Sequence, residues 1–133
     1  MPVASGEFDV KLTPLDAYQT DPQAAIGRMA IDKQFHGALD AASRGEMLSA
    51  MGGVNGSAGY VAVERVSGTL HGRRGAFTLQ HSATMTRGTP CLSIIVVPDS
   101  GSGELAGLSG RMDVAIEQGR HSYRFEYELA GAP

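Results

Sequence analysis

The chain has no tryptophan, one cysteine and few aromatic residues, 6% of the total. A lone Cys91 excludes an internal disulfide framework and fits a reducing compartment. It lies in the apolar pattern "TPCLSIIVV", where a packed thiol is expected rather than a reactive one. There is no basic run either. Lys and Arg number 11 against 14 Asp and Glu, the net charge is -3, and only Arg73 and Arg74 adjoin. A nucleic-acid partner is therefore not expected. The longest apolar run, Ile94 to Val97, is far too short to span a bilayer, so no membrane partner is expected. The opening "MPVASGEFDV" lacks a charged region followed by an apolar stretch, so no signal peptide is expected and the expected location is cytoplasmic.

Nucleotide and nucleophile motifs are missing as well. In "SGSGELAGLSG", Gly101 and Gly103 are followed by glycine at 107, which breaks the dinucleotide spacing. No Gly-Lys-Ser/Thr is present, and "GTPCLS" and "GSAGY" both lack the nucleophile-elbow pattern. That glycine-rich stretch reads as a tight turn with one helical turn at "ELAGL". Glu104 is expected to face solvent or to accept from local backbone N–H groups. The histidines at 36, 71, 81 and 121 show no ligand spacing on one element. No metal and no cofactor are expected.

What is abundant is glycine, 18 of 133 residues, in a chain that is 42% apolar and 19% charged. Frequent turns between short apolar segments indicate an all-β chain, and the length suits one domain over residues 1–133. Eight strand-like segments follow the turn signals: 6–14, 27–39, 46–52, 59–70, 75–85, 91–97, 110–117 and 121–129. "LDAYQTDPQAAIG" reads as a surface loop after the first. Short connections favour an antiparallel meander, and eight strands suffice to close a β-barrel and remove both edges.

Two hairpins carry register information. A turn at Gly72-Arg73 sets Glu64 opposite His81, Val66 opposite Leu79 and Tyr60 opposite Met85, all on one face. A two-residue shift keeps that face and changes only the direct partners. A turn at Gln118-Gly119 sets Asp113 against Arg124, Arg111 against Glu126 and Glu117 against Arg120. The other face of that hairpin holds Met112, Val114 and Ile116 against Phe125, Tyr123 and His121. Each hairpin has one wet and one dry face. "CLSIIVV" is apolar on both: Leu92, Ile94 and Val96 fill the barrel, while Ile95 and Val97 need cover, so a homo-oligomer is expected.

Glu64 and His81 interrupt the dry face, and that is the sharpest chemical signal. A carboxylate beside an imidazole among Val66, Leu79, Phe77 and Met85 suits proton transfer at neutral pH. It equally suits a pair that only satisfies itself in the core. Tyr60 shares the face. His121, Tyr123 and Tyr127 form a stripe on the last strand, with apolar bodies and polar tips. They can orient a ligand at a barrel mouth or fill core with tips at the rim, the second being favoured for Tyr127. Glu64 and His81 are thus candidate catalytic residues. Tyr60, Phe77, Met85, His121, Tyr123 and Tyr127 are candidate ligand contacts.

"FHGALDAASRGEML", "GYVAVERVSGTLHGRRGAFTLQHSATM" and "VVPDSGSGELAGLSGRMDV" resemble an uncharacterised bacterial domain-of-unknown-function family, number 3224, from about Phe8 to Leu129. The resemblance implies a compact β-barrel of the allene oxide cyclase-like fold. Allene oxide cyclases and dirigent proteins share a similar glycine-rich turn before a late strand. Those relatives are cofactor-free, usually trimeric, and guide cyclisation or coupling of apolar substrates in the barrel. The family itself has no established activity, and no residue here matches the cyclase's catalytic acid. Three functions follow as expectations: a barrel that binds a small, largely apolar ligand, a cofactor-free isomerase or cyclase using Glu64 and His81, or an oligomerising module with a plain core.

Overall fold

The computed structural model describes residues 2–130. Nine strands form in the order β1 Val3–Leu15, β2 Ile26–Phe35, β3 Leu39–Met51, β4 Ala58–Leu70, β5 Arg73–Thr86, β6 Thr89–Val96, β7 Ser102–Gly103, β8 Leu108–Glu117 and β9 Arg120–Leu129. Every pairing is antiparallel. Eight strands run β4-β3-β2-β1-β9-β8-β6-β5, and pairing of β5 with β4 closes the barrel. The all-β barrel expected from alternation is therefore present. The ninth strand, β7, is a two-residue addition to one end of β5.

Alternation sorts each strand between lumen and solvent. Ala62, Glu64, Val66 and Leu70 of β4 are buried, as are Phe77, Leu79 and His81 of β5. One half of the lumen is packed solid. Phe77 and Phe125 stack with ring centroids 5.7 Å apart, Phe125 stacks on Tyr127 at 5.4 Å, and Phe35 meets Tyr123 edge-on at 5.4 Å. The 101–108 stretch seals this end. β7 pairs Gly103 with Gly75, and the turns after it tuck Leu105 and Leu108 beneath the core. No helix forms at "ELAGL": residues 104–107 are turn, and Leu108 opens β8. The Glu104 carboxylate accepts from the Arg74 backbone N–H at 3.1 Å, the local role expected of it.

The β4–β5 register is the two-residue alternative. The turn is His71-Gly72, with φ of 45° and 80°. A tight hairpin of this hand needs positive φ at both central residues, and glycine is most useful in the second place. Arg87-Gly88 and Gln118-Gly119 repeat the device at 47° and 90° and at 51° and 77°. Val66 is consequently opposite Phe77, Glu64 opposite Leu79, Ala62 opposite His81 and Tyr60 opposite Ala83. The lumenal face is unchanged.

The β8–β9 register is the one expected, with Asp113 opposite Arg124, Arg111 opposite Glu126 and Glu117 opposite Arg120. The ion pairs are redistributed. Arg124 bonds Glu126 along its own strand, Arg111 approaches Glu126 at 3.8 Å, and Arg120 approaches Glu7 of β1 at 3.9 Å.

Two expected boundaries change. Residues 27–39 are not one strand, because His36-Gly37-Ala38 turns the chain between β2 and β3, with Gly37 at φ 103°. Residues 40–45, which carry no strand signal of their own, then belong to β3. Cys91 is exposed rather than packed, because the outer end of β6 lacks a neighbour on one side. Between β6 and β8 the ladder is a single bridge, Ile95 to Arg111. Among the described residues no further β6–β8 pairing follows toward the end where β4 begins.

Candidate functional site

Four adjacent strands each contribute one polar side chain to a line across the lumen. β2 supplies Lys33 and β3 supplies Ser43 directly opposite it. β4 supplies Glu64 and β5 supplies His81. Gly45 lies opposite Glu64, and a Cβ there would fall 2.6 Å from the Glu64 Cα. The bare backbone lets β3 close over the glutamate.

The Glu64 carboxylate is wholly buried and fully engaged. Ser43 Oγ donates to Oε1 at 2.7 Å. Lys33 Nζ donates to Oε2 at 2.8 Å, and His81 Nε2 meets the same oxygen at 2.5 Å. Burial by itself pushes the Glu64 pKa up. The hydrogen bond from His81, the Lys33 charge, and the hydrogen bonds from Lys33 and Ser43 outweigh it and hold the pKa at about 2. Glu64 is therefore an anion at neutral pH. Lys33 is screened from water by Phe8 and Phe35, whose ring centroids lie 5.1 and 5.7 Å from Nζ. No buried side-chain nitrogen or oxygen among the described residues lacks a partner.

His81 carries the line toward the open end. An ionised carboxylate oxygen only accepts, so the proton on this side of the ring is on Nε2. Nδ1 then faces the Tyr60 hydroxyl at 3.4 Å. Burial, followed by the nearby Glu64 charge, raises the Tyr60 pKa, so the phenol keeps its proton. Tyr60 in turn lines a cavity of about 530 Å³ at the barrel mouth, with Met47, Ala83, Met85, Leu92 and Val114. Cys91 and Leu92 of β6 and Val114 and Ile116 of β8, beyond the single bridge between these strands, form one side of it. A strong ion pair thus ends, through one imidazole and one phenol, at an apolar recess.

The other candidates are placed elsewhere. Phe77 is core, stacked on Phe125. Tyr123 donates to the His36 carbonyl at 2.8 Å and accepts from the Leu39 N–H at 3.0 Å, clamping the β2–β3 turn. His121 packs on Phe8, with centroids 5.2 Å apart. Tyr127 meets His71 Nδ1 at 2.5 Å at the opposite rim, beside a second cavity of about 630 Å³. Of the expected ligand contacts, Tyr60 and Met85 share the mouth; Tyr123, Tyr127, His121 and Phe77 do not. Among the described residues no cluster of three or more His, Cys, Asp or Glu side chains is placed to hold a metal. No helix among them is long and apolar enough to cross a membrane.

Lys33 and Ser43 are the site residues that strand patterning did not single out. Lys33 has the parity of Ile31 and Phe35, both buried. A lysine on a dry face was a legible sign of a buried counter-ion.

Fold and cluster together define a small closed antiparallel barrel with a packed half and a polar-floored mouth. The family model "Protein of unknown function (DUF3224)" matches residues 4–127, and the chain belongs to that family. A solved structure from Shewanella oneidensis MR-1, described as a protein with unknown function from the DUF3224 family, is 54% identical over 99% of both chains, with a TM-score of 0.95. No curated protein matches.

Proposed function

We propose that the protein binds a small, largely apolar molecule in the barrel mouth, with Tyr60 as the polar contact at its floor. The observation that carries this is the recess itself: about 530 Å³, walled by apolar side chains and backed by a satisfied polar cluster. Ala83 leaves the room that a larger residue would fill. Met47 and Met85 adapt to irregular shapes.

Saturating para-xylene is expected to raise the melting temperature by several degrees, and an Ala83→Phe variant that fills the recess is expected to lose the shift. If neither para-xylene nor a wider panel of small apolar compounds stabilises the protein, the proposal fails.

A second reading has its own support. The line from Glu64 through His81 to Tyr60 has the form of a proton path, so a cofactor-free isomerisation or cyclisation in the same recess is the catalytic alternative. The third alternative, an oligomerising module, draws on the outer surface of β3 to β6, where Leu48, Val61, Val63 and Ile95 are exposed.

A further inference from the structure

The cluster specifies which polar group a ligand must carry. Its charges are already matched: one carboxylate faces one ammonium, both withdrawn from water. With the imidazole neutral, its single proton lies on Nε2, where the Glu64 carboxylate accepts it. Nδ1 therefore presents a lone pair, and the group facing it is the Tyr60 O–H. With its own proton directed at Nδ1, the Tyr60 oxygen shows the recess lone pairs only. Polarity runs one way along the whole line, from the mouth inward: each group donates to the next and the last accepts.

We infer that the recess selects small apolar hydroxy compounds, phenols or enols, whose O–H donates to the Tyr60 oxygen. A carbonyl compound of the same shape finds no donor at the floor unless Tyr60 turns its proton away from His81. This inference rests on the ligand-binding reading above and narrows it to a donor class. Tyr60 is the specificity-determining contact. His81 and Glu64 are positioning residues that fix the direction of its proton.

Three probes of similar size and the same para-substituted ring test it: para-cresol with a donor, para-tolualdehyde with an acceptor only, and para-xylene with neither. Each is titrated into the wild-type protein and into Tyr60→Phe. Para-cresol is expected to lose roughly tenfold in affinity in the variant, the worth of one hydrogen bond in a shielded site. The other two are expected to change little. Nitrogen NMR of the free protein is expected to show the His81 proton on Nε2 at neutral pH.

Loss confined to para-tolualdehyde, equal loss of all three, or no loss of para-cresol overturns the donor assignment and leaves the binding site standing. A proton on Nδ1 overturns it as well. If none of the three binds the wild-type protein, both the site and the assignment fall. The melting temperature of Tyr60→Phe separates a lost contact from a damaged barrel, because a hydroxyl deletion in an intact barrel leaves para-xylene binding unchanged.

Discussion

Glu64 shows how a residue of forbidding type is kept in a barrel. Its charge is tolerated because Lys33, Ser43 and His81 occupy both carboxylate oxygens. The energetic consequence has a definite sign. The folded pKa is about 2 against an ordinary 4.5, so the unfolded chain binds the proton more readily. The stabilisation is full above the unfolded value and is lost as pH falls from about 4.5 toward 2, a loss on the order of 3 kcal/mol. Chemical denaturation across that range is expected to show it, and a Glu64→Gln, Lys33→Met double variant is expected to flatten it. Lys33→Met alone strands the carboxylate in the core and is expected to cost about 3–5 kcal/mol, with much of that recovered in the double variant. A single variant no worse than the double would mean that the two charges are not coupled. Strand parity alone was enough to put Glu64 and His81 inside together. It did not reveal their direct contact, because a two-residue register shift leaves parity untouched while moving the two residues from opposite to diagonal.

At the level of elements, the hairpins divide by how loudly their turns speak. Gln118-Gly119 is flanked by alternating charge on one face and apolar residues on the other, so its register could be read off. His36-Gly37-Ala38 is hidden between Phe35 and Leu39, two apolar residues that continue the pattern across the turn and merge two strands into one. That merger left residues 40–45 unassigned and concealed Ser43. Two glycines illustrate what strand contact demands beyond alternation. Gly72 needs its freedom for φ of 80° at an open turn, where a Cβ would have nothing within 4 Å. Gly45 needs space: a Cβ there would come within 2.0 Å of the Val63 carbonyl oxygen. Gly72→Ala is expected to cost about 1 kcal/mol, from left-handed backbone alone. Gly45→Ala is expected to cost about 2–3 kcal/mol, because it pries β3 from β4 beside the buried glutamate. Urea midpoints rank the two, and the reverse order would show that β3 moves aside without penalty.

For the whole molecule, closure removes most but not all strand edge. The seam between β6 and β8 holds by one bridge, which opens the mouth on that side and leaves Cys91 and Leu92 at its lip. Meander order was legible from short connections. This gap was not, because it depends on how far strands on either side of the barrel slide past one another. The outer surface is just as uneven. Outward charges are dense on β8, β9, β1 and β2 and include Arg44 and Glu46 of β3 and Arg65 of β4; beside these, β3 to β6 present Val61 and Val63 at 53% exposure, Leu48 at 49% and Ile95 at 40%, next to Gln80, Ser82 and Ser93. We propose that a second copy of the chain covers this patch. The Arg28–Glu46 pair at its rim offers both signs of charge, so the surface can meet itself across a two-fold axis without like-charge opposition. Sedimentation at micromolar concentration is expected to show an assembly larger than one chain. Val61→Lys, which sets like charges against each other across such an axis, is expected to return it to monomers with the melting transition still cooperative. A monodisperse wild-type monomer would mean that the patch is simply exposed.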